Sequence, residues 1–276
     1  MDSRTSWPQD LRRCVGPAVY CEAALFTGVY ETGRLEGELR RRTDSDFPSS
    51  NTMRALRNGG TSRSTTLVNL QNALPKSGIL YWAYHPIFLL LDTDHEGSDF
   101  GPVVTYALDT IWSPLKQSFW PWLKSGSEPG SADPNLQVRH DKALLLRLLE
   151  TERYSTYDLS PMDALVLHVA MYFQAKRIIE PEIARTAAGA THQHFHLAAF
   201  RHPQLLMNWA SLARRMDAKI WAKEGLAYPL GPLLTDHNHH LRRRLHESFP
   251  ASLLKLAEAN ERKILSPTPT RSKKLT

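Results

Sequence analysis

The sequence predicts an all-α fold, with a helical N-terminal region followed by a larger helical domain. Three observations lead there. Apolar residues recur at spacings of three and four in several stretches, as they do on one face of a helix. Ser160-Pro161 and Gly225 stand where a helix start and a helix stop are wanted. The chain has 276 residues, 42% hydrophobic and 22% charged, a balance that suits a globular protein with a substantial core.

Taken in order, residues 1–33 read as irregular, because Pro8, Gly16, Pro17, Gly28 and Gly33 interrupt any periodicity. Arg34–Arg42 carries Leu35, Glu36, Glu38 and Leu39, enough helix-forming residues for two turns. Residues 47–77 suit two short helices joined by a tight turn. Ile79–Leu91 holds Tyr81, Trp82, Tyr84 and Phe88 and suits a helix or a buried strand, with a break at His85-Pro86. Phe100–Leu123 places Trp112, Leu115, Phe119 and Trp122 at helical spacing, and Pro114 and Pro121 divide it into two short helices. The helical region therefore spans 34–123.

Residues 124–134 (KSGSEPGSADP) form the clearest linker and mark a soft boundary, with a helical domain over 135–265. Within that domain, Leu136–Glu152 sets Leu145, Leu148 and Leu149 on one face. Ser160 is a good N-cap, Pro161 fits the first helical position, and Asp163 complements the positive helix end. That helix should run to about Ile179 and stop near Glu180-Pro181. Another should begin at Pro181, and a third should cover Pro203–Glu224 with Leu206, Trp209, Ala213, Met216 and Ile220 inside. Trp209 and Trp221 suit the core better than a base-stacking platform. Ala251–Ile264 is a final helix, and residues 266–276 read as a disordered basic tail.

Charge is uneven: residues 1–78 sum to +3, residues 79–160 to −5 and residues 161–276 to +8, within a net +6. Basic ends around an acidic middle suit contact with a polyanion, or packing of the middle against the chain's own basic parts. Only two cysteines occur, Cys14 and Cys21, which argues for reduced thiols in a cytosolic compartment rather than a disulfide scaffold. No apolar run approaches the roughly 20 residues that span a bilayer, and no secretory signal is visible. A cytoplasmic location without membrane contact is the expectation.

Residues 51–77 read NTMRALRNGGTSRSTTLVNLQNALPKS. Ser49 or Ser50 can cap the first helix, Asn58-Gly59-Gly60 supplies a turn, and Thr61 or Ser64 can cap the second. Leu67, Leu70 and Leu74 form a packing stripe. This run resembles the second half of a lambda-repressor-like (Cro/CI-type) helix-turn-helix, over about a tenth of the chain. It departs from the family where Ala55 stands for an aromatic residue and Ser62 for Pro, and no upstream helix pair is legible at the expected distance. The resemblance implies DNA as partner. Asn51, Arg54 and Arg57 recur every three residues, and Asn and Arg suit bidentate contacts with adenine and guanine edges. Arg63 and Lys76 would hold phosphates. A regulator of transcription is the implied role, with the larger domain pairing two copies as a homodimer or sensing a partner.

Two histidine clusters offer a different chemistry. His192, His194 and His196 alternate, so a strand would put all three on one face, and a helix would make His192 and His196 neighbours. His237, His239 and His240 crowd beside Asp236, which could add an oxygen ligand. A metal-dependent enzyme would require 192–196 and 236–240 to converge. No HExxH, phosphate loop or GxSxG elbow is present, so no catalytic residue and no cofactor is assigned. Arg242-Arg243-Arg244 suits phosphate contact or one solvated helix face. A helical protein-interaction module without DNA contact is the other alternative, marked by exposed apolar surface.

Overall fold

The computed structural model describes residues 9–43, 47, 51–60, 62–91, 160–177, 179–227, 234, 243, 245 and 247–265. The expectations for 100–123, 124–134, 136–152, 236–240 and 266–276 lie outside them. Among the described residues the structure is helical and contains no strand, as the apolar spacing requires.

The first helix corrects the sequence reading. Residues 9–27 are not irregular: α1 (Gln9–Thr27) is a 19-residue helix with Pro17 inside it. Its apolar residues cover two faces. Leu11, Cys14, Val15, Ala18 and Cys21 belong to one core, and Val19, Tyr20, Ala23 and Ala24 to another. A helix apolar on opposite sides is stable only between two layers, and α1 lies there.

Proline costs this helix one hydrogen bond, because residue 17 has no N–H to offer the carbonyl of residue 13. The Arg13 carbonyl instead accepts from Asn208 Nδ2, a side chain 195 positions away. Gly16 is as specific. A Cβ there would stand 2.3 Å from the Gly60 carbonyl oxygen and 2.7 Å from that of Leu56, so only glycine lets the backbones approach.

The N-terminal layer comprises α2 (Thr32–Arg42), α3 (Thr52–Arg57), α4 (Ser64–Ala73) and α5 (Ile79–Ala83). They bury Leu35 and Leu39, Met53 and Leu56, Leu67, Leu70 and Leu74, and Ile79 and Ala83. The predicted break between α5 and α6 (Pro86–Leu90) occurs at His85. That residue caps α6, accepting from the Ile87 N–H through Nδ1 at 3.3 Å.

The core on the other side of α1 also takes in α7 (Pro161–Arg177) and α8 (Pro181–Arg201), packed together along their length. Ser160 caps α7 as predicted: its Oγ accepts from the Asp163 N–H at 3.1 Å and donates to the Asp163 carboxylate at 2.7 Å. On α8, Ile183, Ala184, Ala187, Ala188, Thr191, Phe195, Ala198 and Ala199 form the buried stripe.

The predicted helix over Pro203–Glu224 is broken. α9 (Pro203–Leu206) ends at Met207-Asn208, and α10 (Trp209–Met216) loosens into a π turn (Asp217–Trp221) and a 3₁₀ turn (Ala222–Glu224). The wider turn accompanies complete burial of Trp221, whose indole N–H donates to Thr191 Oγ1 at 2.9 Å. Gly225 ends the run at φ +70°. Truncating either Trp209 or Trp221 to alanine would cost about 3–5 kcal/mol. The last helix, α11 (Ala251–Leu265), packs on α10. No described helix is long and apolar enough to cross a membrane. Cys14 and Cys21 are buried and form no disulfide, and burial pushes the Cys21 thiol well above its ordinary pKa.

Candidate nucleic-acid interface

The segment from Asn51 to Ser77 is built on two buried stripes. Met53 and Leu56 pin α3 to the core, and Leu67, Leu70 and Leu74 pin α4. Both helices are short because their ends are specified. α3 stops in a glycine motif: Gly59 is left-handed at φ +85°, the Gly59 N–H bonds the Leu56 carbonyl at 3.0 Å, and the Gly60 N–H bonds the Ala55 carbonyl at 2.7 Å. This paired 6→1 and 5→2 pattern satisfies carbonyls the helix would leave open.

Its start differs from the expectation. Asn51 does not belong to the helix; it precedes it at φ +76°, and its side chain makes no capping bond. The Met53 N–H is taken instead by Glu36 Oε1 of α2 at 3.1 Å. Ser49, Ser50 and Thr61 lie outside the described residues. Ser64 does not cap α4: Arg63 occupies that position in extended conformation, with no side-chain cap.

Exposure separates the five candidate residues. Asn51, Arg54, Arg63 and Lys76 are exposed. Arg57 is half-buried, turned from the Arg54 side toward α2, and its Nη1 donates to Thr32 Oγ1 at 3.2 Å. Beneath it, the Tyr20 hydroxyl donates to the Tyr30 carbonyl at 2.7 Å. Burial raises the Tyr20 pKa, against the opposing pull of Thr32 and Arg57.

The charge pattern is one-sided. Residues 51–77 contain no Asp or Glu. None of Arg54, Arg57, Arg63 and Lys76 forms an ion pair with a described residue, whereas the neighbouring α2 pairs Arg34 with Glu31 and both Arg41 and Arg42 with Glu38. Cations left without carboxylates present a positive potential to solvent.

Two positioning residues escaped the sequence reading. Gln71 donates to the carbonyls of Leu74, Pro75 and Ser77 and accepts from the Leu80 N–H at 3.1 Å, so one amide sets the α4–α5 turn. Glu22 on α1 accepts from the Gly78 N–H at 2.6 Å and from Gln204 Nε2 at 2.7 Å, tying three segments together. A polar residue on a helix carries no local signal for a partner 56 or 182 positions away.

The first histidine cluster lies on a helix, so the alternation does not put three rings on one face. His192 meets Trp221 edge-on, His194 stacks on His168 of α7 at 5.2 Å, and His196 stacks on Phe200. His168 Nδ1 donates to the Ala164 carbonyl at 2.6 Å. Burial lowers the His196 pKa, and neighbouring His192 lowers it further. Among the described residues no three His, Cys, Asp or Glu gather as a metal site. Asp236, His237, His239 and His240 lie outside them. Of the Arg242–Arg244 run, Arg243 is exposed and pairs with Glu247 at 3.1 Å. No protein-family model matches this chain, and no curated protein and no solved structure matches it either.

Proposed function

We propose that the protein binds DNA through the 51–77 segment, with Arg54 and Arg63 as principal contacts, Lys76 as a phosphate contact and Asn51 at the start of α3. The observation that supports this most is the absence of carboxylates across 51–77, combined with exposed arginines that have no ion pair among the described residues. An exposed arginine free of carboxylates loses little on meeting a phosphate, and its fork suits two oxygens at once. Arg57 supports the face from behind: its bond to Thr32 spends one donor and holds α3 against α2. A regulatory role, with the helices beyond α6 pairing two copies or sensing a partner, follows from the same reading.

Binding of random-sequence duplex DNA by the full chain across a salt series tests this. Affinity should fall linearly on a log–log plot, with a slope near −0.9 per phosphate neutralised. Arg54→Ala/Arg63→Ala should flatten that slope by about two contacts while leaving the fold intact. No binding at low salt, or a slope unchanged in the double variant, would remove the assignment. Arg57 is left untouched, because its loss would also release α3 from α2.

A further inference from the structure

The geometry points to a second anion site, independent of the DNA reading: the cleft between α1, α3, α10 and α11 binds a phosphate group. Its volume is about 140 Å³, against roughly 30 Å³ for one liquid water, so a tetrahedral oxyanion fits with solvent to spare. Three cations line it, Arg13 from α1, Arg57 from α3 and Lys263 from α11, and among the described residues no carboxylate does. None of the three forms an ion pair with a described residue.

Folding brings these charges together from distant parts of the chain, and their mutual repulsion opposes that. A multiply charged anion between them reverses the sign of the interaction. Arg13 and Lys263 are exposed and Arg57 is anchored on Thr32, so two flexible arms flank a fixed one.

The wall is built of donors. Ser211 is only 3% exposed, yet its hydroxyl takes no hydrogen bond from or to a described residue. Asn208 Nδ2 is oriented by the Arg13 carbonyl that Pro17 leaves open, and Asn260 Nδ2 by the Met207 carbonyl at 2.9 Å. Each amide nitrogen carries two hydrogens, so each keeps one donor beyond that bond. Guanidinium, ammonium, hydroxyl and amide donors around one small cleft match the three or four oxygens of a phosphate. A phosphorylated small molecule and a nucleic-acid backbone present the same group, and the test separates them.

Isothermal titration of the full chain with inorganic phosphate, at ionic strength held constant with chloride, reads the site directly. Saturable binding should appear in the wild type and weaken at least tenfold in Lys263→Gln and in Arg13→Gln, both exposed positions. Ser211→Ala should weaken it less. Phosphate that competes with duplex DNA would place a backbone phosphate in the cleft. Phosphate that binds without displacing DNA would assign the cleft to a small phosphorylated ligand. Absence of saturable binding to folded wild type, or equal binding by wild type and the two charge variants, would overturn the site. Neither result would touch the salt-slope test of Arg54 and Arg63.

Discussion

Replacing Gly16 with alanine sets two opposite effects against each other at one atom. In an ordinary helix interior the change stabilises by about 0.5–1 kcal/mol, because glycine loses more chain entropy on folding. Here the new methyl would stand 2.3 Å from the Gly60 oxygen and 2.7 Å from the Leu56 oxygen. Restoring an ordinary van der Waals separation requires the two backbones to part by roughly 1 Å. Neither obstacle is the end of a flexible side chain. The Gly59-Gly60 turn is seated on α1 at a second point as well, since a Cβ at Gly59 would lie 2.9 Å from Arg13 Cα, so parting the backbones at Gly16 also loosens that contact. Overpacking of this kind costs about 1–3 kcal/mol, and rigid neighbours place Gly16→Ala at the upper end, for a net loss of about 2 kcal/mol. Gly37→Ala on α2 is the control, because nothing lies within 4 Å of its Cβ position, and it should gain about 0.5–1 kcal/mol. Urea unfolding reads both through the midpoint at unchanged slope. The relief motion displaces α3, so Gly16→Ala should also weaken DNA binding, and Gly37→Ala should not. A Gly16→Ala protein as stable as wild type would refute the close backbone approach.

Two further outcomes follow from strained or buried groups. Ile179, 85% exposed, sits at φ +61° in the turn between α7 and α8, where a β-branched side chain is costly. Ile179→Gly should raise stability by about 1 kcal/mol, and a loss in thermal or urea unfolding would contradict the backbone assignment. His85 is held neutral by burial, first, and by nearby His202, second, with a pKa lowered from 6.5 to about 3. Its Nδ1 accepts from Ile87, so the Nε2–H faces the Tyr81 hydroxyl at 3.0 Å. Between pH 6.5 and 3 the unfolded chain binds the proton that the folded one refuses. This contribution is therefore complete above pH 6.5 and declines as pH falls toward 3, by up to about 1.4 kcal/mol per pH unit. His85→Asn, which can still cap α6, should flatten the dependence of stability on pH between 6.5 and 4. An unchanged slope would show that another group carries it.

Helix ends were legible in the residues wherever the signal is local. Ser160, Pro161 and Asp163 open α7, Gly59 and Gly225 take left-handed turns, and the His85-Pro86 break separates α5 from α6. Each depends on φ preference or on a bond to a residue three or four positions away. The leucine stripe of α4 was legible for the same reason: side-chain period and burial are properties of one helix. The division of Pro203–Glu224 into shorter pieces was not, because it accompanies burial of Trp209 and Trp221 against other helices.

For the candidate site, the sequence located the arginines and the glycine turn but not which arginine faces solvent. Arg54 and Arg57 are three residues apart, yet only the second meets Thr32, a residue 25 positions earlier. The N-terminal helix shows the same limit most plainly. Gly16 and Pro17 read as breakers because each lowers helix stability when only neighbours are counted. Tertiary structure reversed both meanings. The missing Cβ of Gly16 admits the Gly60 and Leu56 carbonyls, and the carbonyl orphaned by Pro17 is satisfied by Asn208. The sequence by itself determined the helix ends whose signals are local, at Ser160, Gly59, Gly225 and His85-Pro86, since those energies act within a turn or two. Which residues meet was decided only by packing, because the partners that satisfy a backbone group or gather three cations are brought close by the folded chain alone.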